Sequence, residues 1–176
     1  MSNILRSCIL TCLLSLCANL AFSQDEESLM TYDLATSAMD AAEAYAREKG
    51  WNVTILITDQ SNNPVMLRRI DGAGGRTFRF ATAKALVVNE TGLTSGEYGR
   101  LLEAGDIEEI EGGVTFAGGV PVYRNGQRIG AISTSGVRAA QDEEVSTAGA
   151  EVIGSCLLYT SPSPRDRTRS RMPSSA

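Results

Sequence analysis

The dipeptide Asn125-Gly126 constrains the fold of this chain more than any other short feature. It stands between the segments VPVYR and QRIGAISTS, and a two-residue turn with both residues at positive φ strongly favours Asn-Gly. The pair therefore predicts a β-hairpin, and strands joined by tight hairpins form antiparallel sheets. Seven of the 17 glycines lie between Glu111 and Gly136. Among them, Gly130 interrupts the second strand of the hairpin, which predicts a bulge or a close backbone approach.

The rest of the chain alternates between strand and helix periods. NVTILITD and VMLRRID are rich in β-branched and apolar residues, and QSNNP between them predicts a second hairpin with a loop of about five residues. Apolar residues at helical spacing predict helices that begin near Thr31, Thr77 and Ser95, and a last helix in AAQDEEVSTAGAEVI. We therefore expect a single α+β domain, with an antiparallel sheet of about five strands covered by helices.

Both ends of the chain differ from this domain in composition. Residues 1–23 carry an early cation, an apolar run and small residues before Gln24, which is typical of a secretory signal peptide. Residues 155–176 change abruptly to Ser, Pro and Arg without periodicity, so they predict a disordered tail, and they also resemble translated read-through of a sequencing adapter. The domain then covers residues 24–154. We expect it to be periplasmic or secreted, with no membrane contact after signal cleavage.

Composition limits the chemistry of residues 24–154. The chain has no histidine, and its four cysteines all lie in the two end segments. Histidine triads, disulfides, thiolate catalysis and His-ligated metal are therefore excluded from the domain. The chain has 21 acidic and 16 basic residues, and the end segments hold five of the basic residues but one acidic residue. Such an acidic domain disfavours nucleic acid as a partner.

Three basic side chains are candidates for ligand binding. The segment DGAGG precedes a helix beside Arg76 and Arg79, and a helix N-terminus flanked by guanidinium groups can hold an anion. Without a Walker lysine or a G-x-G-x-x-G pattern, a plain loop remains the alternative. Lys84 shares a helix stripe with apolar residues. Either its ammonium lies in water or pairs with Asp59 or Asp71, or Lys84 has a catalytic role.

The order of several motifs resembles the GlcG/HbpS family. MTYDLATSAMDAAEAYAREKG, VTILITDQSNNPVMLRRIDGA, ATAKA, FAGGVPV and GAISTSG with QDEEVSTAG follow one another from about Met30 to Ile153. The resemblance covers nearly all of residues 24–154. It implies a small profilin-like sandwich that forms homo-oligomers and binds haem or another small ligand, because members of this family are described as haem-binding or haem-degrading proteins.

The resemblance also implies which residues surround the ligand. Gly118 and Gly119 of the AGGVPV strand would let a ligand or a neighbouring subunit approach the backbone. In the absence of histidine and cysteine in the domain, tyrosine oxygen is a candidate iron ligand, while an arginine would hold a propionate. The metal ligand itself stays open, and no residue is singled out as catalytic. The candidate cofactor-binding residues are Arg76, Arg79, Lys84, Tyr98, Gly118, Gly119 and Tyr123.

Three functions remain open at this point. The chain is an exported haem-binding protein, a non-catalytic binder of another small molecule or of a partner protein, or an enzyme that degrades haem. The sequence shows no dedicated pair of catalytic acid and base, which favours binding over turnover. A saturable Soret shift on addition of haemin separates the first function from the second, and turnover beyond one equivalent identifies the third.

Overall fold

A computed structural model describes residues 29–154, which form four helices and four strands. In chain order these are α1 (Tyr32–Glu48), β1 (Thr54–Asp59), β2 (Pro64–Arg69), α2 (Thr77–Thr91), α3 (Ser95–Ala104), β3 (Gly119–Arg124), β4 (Gln127–Ser135) and α4 (Ala139–Val152). None of these helices combines the length and the apolar character that a membrane crossing requires. The leader expected over residues 1–23 and the tail over 155–176 both lie outside the described residues.

The strands form one antiparallel sheet in the order β2-β1-β4-β3. The α+β class and both predicted hairpins are confirmed, while the sheet has four strands instead of about five. A further strand is missing because the segment before β3 packs its backbone against α3. A Cβ atom added at Gly99 of α3 would overlap the carbonyl oxygen of Thr115, so this carbonyl group lies against a helix.

The predicted turn and the predicted close approach are both present in the second hairpin. Asn125 and Gly126 have φ values of 52° and 79°, the positive angles that a two-residue hairpin turn of this type requires. The pairing of β3 with β4 shifts register after Val122, which places a bulge beside Gly130. A Cβ atom added at Gly130 would overlap the carbonyl oxygen of Thr58 on β1. Glycine is therefore needed where β1 passes β4.

Helices cover both faces of the sheet and create two buried clusters. On one face, α1 and α4 pack over the larger cluster, which includes Met39, Ile55 and Ile132. On the other face, α2 packs Ala81, Ala85 and Val88 against Leu56 and Ala131. Each fully buried Val, Leu, Ile or Met side chain in these clusters contributes roughly 1.5–3 kcal/mol to the stability of the fold. Both α2 and α4 also contact β3 and β4, near which the candidate site lies.

The helix boundaries follow the capping signals of the sequence. Thr31 precedes α1 and its side chain accepts from the backbone N–H of Leu34, while Thr94 precedes α3 and accepts from that of Glu97. The helix α2 differs, because its N-cap residue is Arg76 and no side chain caps it. The backbone N–H groups of its first turn therefore lack a side-chain acceptor.

Candidate functional site

A buried ion pair lies between α2 and α4. The side chain of Lys84 is completely buried, and its Nζ donates to the carbonyl oxygen of Thr134 and to Oδ2 of Asp142, each at 2.8 Å. The partner is neither Asp59 nor Asp71, and the ammonium does not reach water. The physical reason is that Lys84 lies on the side of α2 that faces the sheet. Its Nζ therefore reaches the carbonyl oxygen of Thr134 on β4 and the carboxylate of Asp142 in the first turn of α4.

Burial acts on both members of this pair. It lowers the pKa of the Lys84 ammonium and raises the pKa of the Asp142 carboxyl, and the attraction between the two charges opposes both shifts. The carboxylate is further satisfied because its Oδ1 accepts the backbone N–H of Val137 at 3.1 Å. Removal of one partner would leave a buried charge without compensation, at a cost of about 3–5 kcal/mol. The pair is thus primarily a fixed structural element.

Residues 116–119, which we call the clamped segment, are held from three sides. The carbonyl oxygen of Gly118 accepts from the backbone N–H of Thr134 at 2.8 Å and from the Ser146 hydroxyl at 2.7 Å. The Ser95 hydroxyl donates to the carbonyl oxygen of Phe116 at 3.0 Å, and it accepts from the N–H of Gly119 at 2.9 Å. Helices α3 and α4 therefore fix the backbone of this segment.

Atoms of α2 and α4 lie close to Gly118 and Gly119, the two glycines of the clamped segment. A Cβ atom added at Gly118, where φ is 128°, would overlap Nζ of Lys84 and would lie 2.8 Å from Cβ of Asp142. A Cβ atom at Gly119 would lie 3.0 Å from the carbonyl oxygen of Lys84 and from Cγ2 of Val88. The close approach expected at these glycines is thus made by α2 and α4 of the same subunit.

An exposed aromatic ring covers the buried ammonium. The centroid of the Phe116 ring lies 5.1 Å from Nζ of Lys84, and the ring packs edge-on against Phe80 with centroids 5.5 Å apart. The Phe116 side chain is nevertheless 39% exposed. Arg76 and Arg79 are exposed, and they lie four residues and one residue before Phe80 on α2. We use the name aromatic face for the packed rings of Phe80 and Phe116 together with Arg76 and Arg79, the exposed arginines that precede Phe80 in sequence.

The two arginines of the aromatic face make no competing contacts within residues 29–154. Neither the Arg76 nor the Arg79 guanidinium has an ion-pair or hydrogen-bond partner in this part of the chain, whereas Arg68 binds Asp40 and Glu43. Both lie at the uncapped start of α2, where the helix dipole adds partial positive charge. This location, predicted from DGAGG and its arginines, can attract a carboxylate or a phosphate.

The two candidate tyrosines lie elsewhere. Tyr98 is 1% exposed, and its hydroxyl oxygen accepts the backbone N–H of Ile110 at 2.8 Å. Tyr123 is half-buried and its hydroxyl donates to the carbonyl oxygen of Gly92 at 3.4 Å. Gly92 follows the end of α2, whereas Arg76 precedes its start, and a helix of this length rises roughly 24 Å between them. Within one subunit, Tyr123 therefore does not join the aromatic face.

A shallow groove of about 480 Å³ lies along the outer side of α4. Its lining includes three alanines, and its polar side chains are those of Tyr45, Glu143, Glu144, Thr147 and Glu151. Three carboxylates would repel an anionic ligand, so the groove suits haem propionates less than the aromatic face does. Among the described residues, no three acidic, histidine or cysteine side chains are grouped so that they could hold a metal ion.

The family model of the haem-degrading HbpS-like proteins matches residues 30–151. The chain belongs to this HbpS-like family. Its match covers α1, the whole sheet, α2, α3 and nearly all of α4, which are the elements that build the aromatic face and the Lys84 pair. No curated protein matches the chain.

Solved structures agree with the HbpS-like assignment. HbpS is 31% identical to this chain, with 72% of this chain and 91% of HbpS aligned at a TM-score of 0.66. A double mutant of HbpS from Streptomyces reticuli has the same identity and TM-score, with 88% of that chain aligned. The haem complex of PduOC is 20% identical, with 73% of this chain and 97% of PduOC aligned at a TM-score of 0.67. At that identity, PduOC supports the fold alone.

Proposed function

We propose that this HbpS-like protein is exported and binds haem at the aromatic face. The observation that carries the proposal is the family match over residues 30–151, because the family is described by its action on haem. Structural support comes from the Arg76 and Arg79 guanidinium groups, which have no partner within residues 29–154 and lie at an uncapped helix start. They precede Phe80, whose ring packs against that of the 39% exposed Phe116. HbpS itself is among the similar structures, and PduOC has been solved as a haem complex.

The residues of the aromatic face fit the two chemical parts of haem. Phe80 and Phe116 supply ring surface for an apolar, planar porphyrin. Arg76 and Arg79 supply donors for the propionates, and arginine can bind a carboxylate through two hydrogen bonds. In both respects the face matches the ligand better than the acidic groove along α4 does.

The iron requires a ligand other than imidazole or thiolate, because residues 24–154 contain neither histidine nor cysteine. We infer that an oxygen ligand such as Tyr123 would come from a neighbouring subunit of a homo-oligomer, since Tyr123 lies at the far end of α2 from Arg76 in its own subunit. Tyr98 is the weaker candidate, because its hydroxyl is buried and already accepts a backbone hydrogen bond.

The geometry supports binding better than it supports turnover. A lysine can act as a general base or a nucleophile only when its amine is free of its proton and accessible. The Lys84 ammonium instead donates to Asp142 and Thr134, and the ring of Phe116 lies over it. Lys84 is therefore assigned to the structure of the site. We expect added haemin to be held without being consumed.

The arginines provide the direct test of where haem binds. Charge reversal at both positions, Arg76→Glu with Arg79→Glu, should weaken haemin affinity roughly ten- to hundredfold, because charged hydrogen bonds contribute about 1–3 kcal/mol. Arg47→Glu is the control, because Arg47 lies on α1, on the opposite face of the sheet from α2. Equal affinity of the double variant and the wild type would show that the propionates bind elsewhere.

Export is tested separately from binding. The proposal that the leader is removed predicts that protein recovered from the periplasm or the medium begins near Gln24. N-terminal sequencing of protein expressed from the full gene measures this directly. A soluble product that keeps Met1 would contradict export while leaving the haem-binding proposal intact.

A further inference from the structure

We propose that Lys84 is a positioning residue, whose buried ammonium holds the Phe116 ring in the orientation in which it forms part of the aromatic face. The inference rests on the proposed haem-binding function and identifies the residue that sets the geometry of that site. Lys84 does not contact the ligand itself. It acts through Phe116, whose ring centroid lies 5.1 Å from Nζ of Lys84 and whose side chain is 39% exposed.

The ammonium is a fixed point because its other contacts are rigid. It donates to a carbonyl oxygen of β4 and to Asp142 in the first turn of α4, each at 2.8 Å. Asp142 is itself held by the backbone N–H of Val137. Because these contacts fix the ammonium, it attracts the Phe116 ring only when the ring lies over it. The ring therefore has one favoured orientation.

The backbone and the ring of Phe116 are held by different contacts. Its carbonyl oxygen is bound by the Ser95 hydroxyl, which orients the backbone but leaves rotation about the side-chain bonds free. The ring itself packs edge-on against Phe80 and lies over the Lys84 ammonium. A cation beneath an aromatic ring attracts the ring through its quadrupole, most strongly where water is excluded from the cation. The Lys84 contact thus adds an electrostatic restraint on ring orientation to the packing against Phe80.

The test must separate positioning from general stabilisation. Lys84→Met alone would leave Asp142 as an unpaired buried charge, so we combine it with Asp142→Asn, which removes both charges and keeps an oxygen for the N–H of Val137. Ser133→Ala is the matched control. It removes a buried hydrogen bond from β4 to the carbonyl oxygen of Ala81 on α2, but it leaves the hydrogen bonds of the clamped segment and the ammonium beneath Phe116 in place.

Two measurements are compared across these variants. Ring signals in NMR spectra of phenylalanine-labelled protein without haemin report the orientation of Phe116, and haemin titration reports affinity. The charge-free pair should shift and broaden the Phe116 signal and weaken haemin binding roughly three- to tenfold, the range that a cation–π contact supports. Ser133→Ala should lower the unfolding midpoint while it leaves both the ring signal and the affinity unchanged.

A double-mutant cycle shows whether the effect passes through the ring. In a Phe116→Leu background, removal of the charges should cause no further loss of haemin affinity. An unchanged Phe116 signal in the charge-free variant, or additive losses in the cycle, would overturn the inference. If the charge-free variant does not fold, Lys84→Met with Asp142→Leu takes its place, because apolar residues often replace a buried ion pair without loss of stability.

The two proposals fail in different ways. If wild-type protein does not bind haemin but the Phe116 signal still depends on Lys84, the haem-binding function is wrong and the restraint on the ring stands. If haemin binds with equal affinity to wild type and to the charge-free variant, the function stands and Lys84 has no positioning role.

Discussion

Replacement of Gly118 by alanine should destabilise the protein more than its single added methyl group would suggest. The new Cβ atom would overlap Nζ of Lys84 and would lie 2.8 Å from both Cβ of Asp142 and the carbonyl oxygen of Thr134. The end of a lysine side chain normally moves aside easily. Here the ammonium is held by hydrogen bonds of 2.8 Å to Thr134 and to Asp142, so its displacement would break the buried ion pair.

Two contributions set the size of the effect. Gly118 has a φ of 128°, which side chains rarely adopt, and such strain costs about 1–3 kcal/mol. Overpacking of a filled interior costs about 1–3 kcal/mol more. The total, roughly 2–6 kcal/mol, is a large part of the typical 5–15 kcal/mol that stabilises a domain. Gly118→Ala should therefore unfold at a much lower urea concentration than the wild type.

Urea unfolding followed by the fluorescence of Trp51, the single tryptophan, measures this loss. Gly126→Ala is the matched control, because Gly126 also has a positive φ, 79°, but no atom within 4 Å of an added Cβ. It should lose only about 1–2 kcal/mol of conformational energy. Equal losses in the two variants would refute the claim that Lys84 and Asp142 fill the space beside Gly118.

Other consequences are open to direct measurement. Gly126→Val should lower the free energy of unfolding by roughly 1–3 kcal/mol, because a β-branched residue is strained at positive φ, and an unchanged urea midpoint would refute this. Hydrogen bonds from Arg68 hold the pKa of Glu43 below its ordinary 4.5, so its contribution to stability is present above that pH and is lost as pH falls through the lower folded-state pKa. Glu43→Gln should therefore flatten the acid limb of the stability profile, and an identical limb would contradict the pairing. Tyr98→Phe should cost about 1–3 kcal/mol by leaving the N–H of Ile110 without an acceptor, with the haemin spectrum unchanged.

The fold could be predicted from the sequence where local signals decide the structure. Asn125-Gly126 requires positive φ angles whatever surrounds it, and Thr31 and Thr94 cap helices through neighbours three residues away. The strand count was overestimated because the segment before β3 is glycine-rich and apolar in places. Whether this segment forms a strand depends on its contact with Gly99 of α3, and no local sequence pattern indicates that contact.

The candidate site could be predicted only in part. The sequence predicts Arg76 and Arg79 as anion-binding residues because this chemistry depends only on the adjacent helix start, and their role stays a prediction. The partner of Lys84 was missed because Asp142 lies 58 residues away in the chain. A carboxylate in the first turn of a helix is already explained by the helix dipole, so the position of Asp142 does not by itself predict an ion pair with Lys84. Phe80 and Phe116 were missed because single aromatic residues give no signal until the fold brings their rings together.

Titration of haemin into the wild-type protein, followed by the Soret band, measures directly whether this HbpS-like protein binds haem. We expect a Soret shift that saturates at an equimolar ratio of haemin to subunit. We also expect quenching of Trp51 fluorescence over the same range, because haem absorbs at the wavelengths at which tryptophan emits. A featureless spectrum that rises in proportion to added haemin, with no saturation at any protein concentration, would show that the protein does not bind haem.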